Sequence, residues 1–252
     1  MVDHVDQVRT LFDTKAAGWP RKYAADGRLT GRLTQLAGAA GELVAAGGTL
    51  LDLGCGSGEL ARHLAAVGYR VTGCDISSLM LQQAAAADQG QSVRWMTLEP
   101  TWRVLPFAVD SLDAVVAASV LEYVQDPAVV LDECARVLRP GGVLLCTVPN
   151  LAHPTRWLEW PLGLAARARL APIAWHVPHR ANQFLAYLRI SRQRRRVRWW
   201  LAAGRRAGLD PVDIPQSRLG APRTWHPARE PLRLLAFIRP GGGAHQIDTM
   251  EG

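Results

Sequence analysis

Leu51-Asp-Leu-Gly-Cys-Gly-Ser-Gly58 is the stretch that decides the fold of this 252-residue chain. It follows a short apolar run beginning at Gly48 and precedes a helix-forming segment, Glu59 to Val67. That order reads as a strand, a glycine turn and a helix N-terminus. Gly54, Gly56 and Gly58 let the backbone bend sharply and approach a ligand with no Cβ between them. Asp52 places a carboxylate at the strand's end. A second apolar run, Arg70-Val-Thr-Gly-Cys74, closes on Asp75, twenty-one residues past Gly54. An acid at that distance in a βαβ unit reaches the two hydroxyls of a ribose. A nucleoside-bearing ligand is expected.

A dinucleotide site would use Gly-x-Gly-x-x-Gly, with a pyrophosphate on the helix N-terminus. Here the spacing is Gly-x-Gly-x-Gly, and Asp52 lies where it would face the ligand. A carboxylate repels pyrophosphate but favours an α-ammonium and a sulfonium. S-adenosylmethionine therefore fits these residues better than a nicotinamide dinucleotide.

Three further motifs follow in order: Gly73-Cys-Asp-Ile-Ser77, Leu105-Pro-Phe-Ala-Val-Asp-Ser-Leu-Asp-Ala-Val-Val116 and Val137-Leu-Arg-Pro-Gly-Gly-Val-Leu-Leu145. With the glycine turn they make residues 50–149 resemble the core of a class I S-adenosylmethionine-dependent methyltransferase. Val8-Arg-Thr-Leu-Phe-Asp13, with Trp19 and Tyr23, is similar to the entry segment of the superfamily's small-molecule members. The resemblance implies a Rossmann-like α/β fold, a doubly wound, seven-stranded and mostly parallel sheet with one antiparallel edge strand.

The pattern of apolar runs agrees. Strands are predicted at 48–53, 70–74, 92–97, 112–118, 142–148, about 209–214 and 232–239. Helices are predicted at 58–67, 77–88 and 127–138, with an irregular piece near 99–108. Asp126-Pro127 is a helix start, an N-cap with proline at N1, and Pro140-Gly141-Gly142 a stop. Strand–helix alternation requires right-handed crossovers and helices on both faces. The organisation expected is a helical entry segment at 1–47, a cofactor-binding core at 48–149 and a helical lid insertion at 150–190. Completion of the sheet at 191–239 and a tail from 240 to 252 follow. The insertion is rich in Trp, Pro and His and leaves a strand's carboxyl end, so it would emerge over the ligand crevice.

Composition bounds the rest. A hydrophobic content of 48% suffices for one α/β core. No apolar run is long enough to span a bilayer, and the first residues are polar and acidic, so a cytoplasmic protein is expected. Cys55, Cys74, Cys134 and Cys146 are scattered and read as small thiols rather than metal or redox pairs. The formal charge is +7, and Lys15 and Lys22 are the sole lysines. Eight arginines crowd residues 189–206, with a helix predicted over 192–207. A solvated helix face is the simplest reading of that run. The alternatives are nucleic acid, an acidic substrate, or peripheral association with an anionic membrane.

Carried over residue by residue, the resemblance implies that Asp52, Gly54, Cys55 and Gly56 line the methionine end. It sets Asp75 on the ribose, with Ile76 and Met80 beside the adenine. The family's usual Gly-Asp-Ala after the third strand is replaced here by Met96-Thr-Leu-Glu-Pro-Thr-Trp-Arg-Val-Leu105. Glu99 or Thr101 is then the candidate adenine partner, and Trp102 a stacking surface. Ser119 is the expected contact after the fourth strand. Glu122 and Tyr123 either face the substrate or pack. Methyl transfer is an in-line displacement that needs alignment and desolvation, with no metal required. A hydroxyl nucleophile needs a base, and histidine suits by its pKa. His153, just past the fifth strand, is the first candidate, and His176 and His179 in the lid come next.

The function expected is O-methylation of a small-molecule acceptor. A nucleic-acid methyltransferase is the second reading, prompted by the arginine run but lacking the Asn/Asp-Pro-Pro-Tyr/Phe signature and any separate RNA-binding module. A non-catalytic cofactor-binding scaffold is the third, and the intact Asp52, three glycines and Asp75 oppose it.

Overall fold

A computed structural model describes residues 4–23, 29–154, 156, 179–214 and 231–241, with backbone alone over 179–184. Seven strands form one sheet: β1 (Thr49–Leu53), β2 (Arg70–Asp75), β3 (Val93–Thr97), β4 (Leu112–Ala117), β5 (Leu138–Pro149), β6 (Asp210–Val212) and β7 (Leu232–Ile238). Their order is β3-β2-β1-β4-β5-β7-β6. β1 to β5 are parallel to one another, and β7 runs antiparallel to both β5 and β6. The reversed strand is thus present, one place in from the edge, with β6 outside it. The chain winds outward in opposite directions from β1 and β4, so a crevice opens beyond the carboxyl ends of these two strands.

Helices α1 (His4–Lys15) and α2 (Thr30–Leu43) precede the sheet. Then come α3 (Glu59–Ala66), α4 (Ser78–Ala87), α5 (Pro127–Val137), α6 (His179–Ile190) and α7 (Val197–Arg206). Two of the starts are written in side chains. Ser77 accepts the Met80 N–H at 3.1 Å to cap α4, and Asp126 accepts the Ala128 N–H at 2.9 Å to cap α5.

All six residues of β4 are buried, as a central parallel strand covered on both faces requires. Alternate residues supply two cores. Leu51, Leu53, Val115 and Leu144 pack towards Leu131, Trp200 and Phe237. Leu50, Val116 and Leu145 pack towards Leu36, Leu60 and Leu64. Each fully buried side chain of this size is worth about 1.5–3 kcal/mol. The segment after β3 is irregular, as predicted, and is fastened from below by α5. Glu133 accepts the Leu105 N–H at 2.8 Å, and Arg136 donates to the carbonyls of Leu105 and Phe107.

One expectation fails. The arginine run is not a helix from 192. Residues 191–196 are an irregular connector, and α7 begins only at Val197. Gln193 explains this: its amide donates to the Val124 and Gln125 carbonyls at 3.1 and 2.9 Å. The Arg192 N–H donates to the Glu122 carbonyl at 3.0 Å. The connector is pinned to the loop after β4 rather than coiled on itself. Most of the predicted insertion and the tail beyond 241 lie outside the described residues, whereas the end of the insertion is α6.

Candidate active site

The crevice is a cavity of about 560 Å³ at the carboxyl ends of β1, β2 and β4, walled on the far side by α1, α2 and α6. Its floor is the glycine turn. Gly54, Gly56 and Gly58 all have positive φ, at 68°, 56° and 78°. Two of them are also sites of close approach. A Cβ on Gly54 would lie 2.4 Å from Val120 Cγ2, and one on Gly58 would lie 2.3 Å from the Trp95 ring. The turn can hold this shape only with glycine there.

Asp75 locks the turn from the neighbouring strand. One carboxylate oxygen accepts the Gly56 N–H at 2.9 Å and the other the Ser77 N–H at 2.8 Å. Each oxygen keeps a lone pair for a further donor such as a ribose hydroxyl. Burial raises the Asp75 pKa, and these N–H bonds oppose the shift. Ser77 also donates to Asp13 at 2.5 Å, which ties α1 to the start of α4.

Asp52 is a carboxylate closed off from water. It is 1% exposed, and its Oδ2 has no hydrogen-bond partner. Burial pushes its pKa up to about 7, and the nearby carboxylates of Asp75 and Glu59 add to the rise. A buried carboxylate with an unsatisfied oxygen is costly unless a cation or donor meets it. A positively charged or hydrogen-bond-donating ligand group would satisfy that oxygen.

Ile76 and Ser119 also line the cavity. Ser119 has φ 56°, unusual for a residue with a side chain. Its N–H donates to Thr147 Oγ1 at 2.8 Å, and its hydroxyl accepts from Arg32 Nη1. Two of the proposed cofactor contacts stand elsewhere. Met80 is buried outside the lining, and Glu99 is exposed while its neighbours Leu98, Pro100, Thr101 and Trp102 face the cavity.

The candidate bases are not brought together. His153 sits in a turn, its N–H donating to the Asn150 carbonyl at 3.1 Å, and it is not part of the lining. His176 lies outside the described residues, and His179 begins α6 with its side chain undescribed. Among the described residues the lining holds no histidine. It does hold Glu122 and Tyr123, the pair that the sequence left undecided. Glu122 is 6% exposed, its pKa raised by burial and opposed by the Arg156 charge, then by a hydrogen bond from Tyr123 and then by the Arg32 charge. Ser191 Oγ lies 3.5 Å from its Oε2. Burial and the Glu122 charge hold Tyr123 well above the usual phenol range, so it stays neutral.

The outer wall is aromatic. Phe12 makes edge contacts with Trp19, Tyr123 and Tyr187 at centroid distances of 5.4, 5.3 and 6.3 Å. Lys22 Nζ stands 3.4 Å over the Trp19 ring and donates to the Tyr187 hydroxyl at 3.2 Å. Phe12, Tyr187, Arg32, Arg156 and Arg194 escaped the sequence reading as site residues. Only long-range packing brings them here, and no local signal marks them apart from the entry segment containing Phe12. Among the described residues no cluster of His, Cys, Asp and Glu could hold a metal ion.

Residues 51–146 match the family described as a methyltransferase domain. The ubiquinone biosynthesis O-methyltransferase of Caulobacter vibrioides is 36% identical over 104 residues, 40% of this chain and 41% of the relative. The demethylmenaquinone methyltransferase of Tropheryma whipplei is 33% identical over 164 residues, 62% and 63% of the two chains. The matched region spans about half the length of the curated relatives, 52% in the homologue from Sodalis glossinidius. Among solved structures, magnesium protoporphyrin IX methyltransferase from Synechocystis PCC 6803, with S-adenosylmethionine bound, superposes with a TM-score of 0.61. That pair covers 95% of this chain and 98% of the other at 17% identity. An S-adenosylmethionine-dependent methyltransferase from Mesorhizobium loti gives 0.56 at 20% identity, covering 80% and 96%. These likenesses establish the fold.

Proposed function

We propose that this chain, whose residues 51–146 match a methyltransferase domain family, binds S-adenosylmethionine over the glycine turn and methylates an oxygen of a small-molecule acceptor. The observation that carries the reading is the Asp52 carboxylate, buried, unsatisfied at Oδ2 and facing the cavity. The α-ammonium of the cofactor is the cation that relieves it. Asp75 takes the ribose with its remaining lone pairs, and Ile76 offers the adenine an apolar face. When bound, the cofactor supplies a methyl group already activated by its sulfonium.

The protein's part is then to align, dry and deprotonate the acceptor. The aromatic wall excludes water and confines a flat molecule between Phe12 and the strand ends. Glu122 would take the proton of the acceptor hydroxyl as that oxygen receives the methyl group that the bound cofactor would supply. We prefer it to the histidines in this role because it is a carboxylate of the described lining, which holds no histidine. Tyr123, neutral beside it, holds the carboxylate in place. The exposed arginines 195, 196 and 198 lie outside the cavity, and we assign them to peripheral contact with an anionic membrane surface. No helix among the described residues is long and apolar enough to cross a membrane.

Calorimetric titration with S-adenosylmethionine and S-adenosylhomocysteine tests the cofactor half. Micromolar binding by the wild type is expected, with at least a tenfold loss in Asp75→Ala. Absence of binding by the folded wild type overturns the proposal.

A further inference from the structure

Ser119 stands where the loop after β4 meets the cofactor floor. Its neighbour Val120 is the residue that a Cβ on Gly54 would strike, so loop and glycine turn are in direct contact. Among the described residues, those with a side chain and a positive φ are Gln91, Asp110 and Ser119. Gln91 and Asp110 lie in exposed turns, where a left-handed residue serves to reverse the chain. Of the three, Ser119 is the one that lines the cavity. A left-handed serine in such a place persists only where its surroundings impose the conformation.

Thr147 imposes it. The β4–β5 ladder runs as far as the pairing of Ala117 with Cys146. One residue further along β5 a side chain takes over from the backbone, and Thr147 Oγ1 accepts the Ser119 N–H at 2.8 Å. Thr147 is 3% exposed, is in register with Leu234 of β7 on its other side, and does not line the cavity. It therefore reaches the site only through Ser119. The Ser119 hydroxyl accepts from Arg32 Nη1 and, among the described residues, has no acceptor for its own proton. A hydroxyl that accepts one bond can still donate another, and the cavity is where that donor can be used.

We propose that Thr147 is a positioning residue for the cofactor: by holding the left-handed backbone of Ser119 it aims the Ser119 hydroxyl, steadied by Arg32, at S-adenosylmethionine bound beside the glycine turn. The inference rests on the cofactor reading above. Thr147→Val keeps the β-branched shape that suits a strand and removes the acceptor. The Ser119 N–H then loses its partner, and the backbone relaxes towards the ordinary φ range, carrying the hydroxyl out of its place. Thr147→Ser keeps the acceptor and with it the aim.

Calorimetry with S-adenosylhomocysteine on the full-length protein tests this in wild type, Thr147→Val, Thr147→Ser, Ser119→Ala and the double variant Ser119→Ala/Thr147→Val. Thr147→Val and Ser119→Ala should each weaken binding about fivefold or more, while Thr147→Ser should stay within about twofold of wild type. In the double variant the losses should not add, because a threonine that works through the Ser119 hydroxyl then has nothing left to aim. Wild-type affinity in Thr147→Val or in Ser119→Ala overturns the inference. So does an additive loss in the double variant, or a Thr147→Ser as weak as Thr147→Val. Should Thr147→Val fail to fold, Ser119→Ala is joined by hydrogen exchange of the wild-type Ser119 amide, which should be slow, and rapid exchange there overturns the inference. A folded wild type that binds no S-adenosylhomocysteine sinks the cofactor reading and this inference with it, whereas wild-type binding with no loss in the variants sinks the inference alone.

Discussion

On the proposed function, Asp52 trades stability for binding. Its ordinary pKa of 3.8 rises to about 7 in the folded, ligand-free protein, so it is protonated in the fold at pH values where the unfolded chain has lost the proton. The stability this contributes is complete below pH 4 and is lost as pH rises through 7. The full span corresponds to about 4 kcal/mol at most, from the 1.36 kcal/mol carried by each pKa unit. Ligand-free Asp52→Asn should therefore melt higher than wild type at pH 8 and show a flatter dependence of melting temperature on pH. It should at the same time bind S-adenosylmethionine at least tenfold more weakly, since an amide can accept a hydrogen bond from an ammonium but carries no charge to pair with it. A variant that is less stable than wild type at pH 8 would refute the account. The identity of Asp52 and its proximity to the glycines were legible in the sequence. Its missing hydrogen-bond partner was not, because that is a property of everything around the carboxylate.

At the scale of elements, the glycine turn carries two independent constraints. Gly58 has φ 78°, and a Cβ there would meet both Trp95 at 2.3 Å and Ala84 at 2.9 Å. Gly58→Ala should cost about 3 kcal/mol, summing overpacking and the left-handed backbone. Pairing it with Trp95→Leu should recover the Trp95 part of the packing share but neither the Ala84 contact nor the backbone share, and chemical denaturation of the three variants separates them. Trp95 itself is on β3, so the sequence motif states that glycine is needed without saying what presses on it. Most strands and helices were legible to within a residue or two, because apolar runs, Ser77, Asp126 and Pro127 are local signals, whereas β5 begins at Leu138, four residues before the predicted start at 142. The 192–207 segment misled for the same reason. Its helical pattern is real from Val197 onward, but bonds from Gln193 to Val124 and Gln125 override it earlier.

Across the whole molecule, the charge of +7 is not spread evenly, and the fold divides the arginine run between inside and outside. Arg194 turns to the cavity, while Arg195, Arg196, Arg198, Arg205 and Arg206 remain exposed around α7. Each exposed arginine near an anionic surface contributes about 1 kcal/mol at low salt. Cosedimentation with vesicles containing phosphatidylserine should thus be strong at low ionic strength, fall steeply at half-molar salt, and weaken in a variant with Arg195, Arg196 and Arg198 all changed to Gln. Failure to sediment with anionic vesicles at low salt would exclude the membrane contact.

The sequence by itself determined the sheet, its order of elements and the cofactor floor. All of these follow from short-range rules: backbone freedom at glycine, capping at helix starts, and the period of apolar residues. Only the tertiary structure decided the acceptor side. Phe12, Arg32, Glu122, Tyr187 and Arg194 come from five separate parts of the chain, and they meet because the chain winds outward in opposite directions from the paired strands β1 and β4 and the connector after α6 is pinned across the opening. A pattern read along a chain reports what each segment can do with its neighbours. Which segments share a cavity is settled by how the packed faces of the sheet bury their apolar residues, and that is a property of the whole.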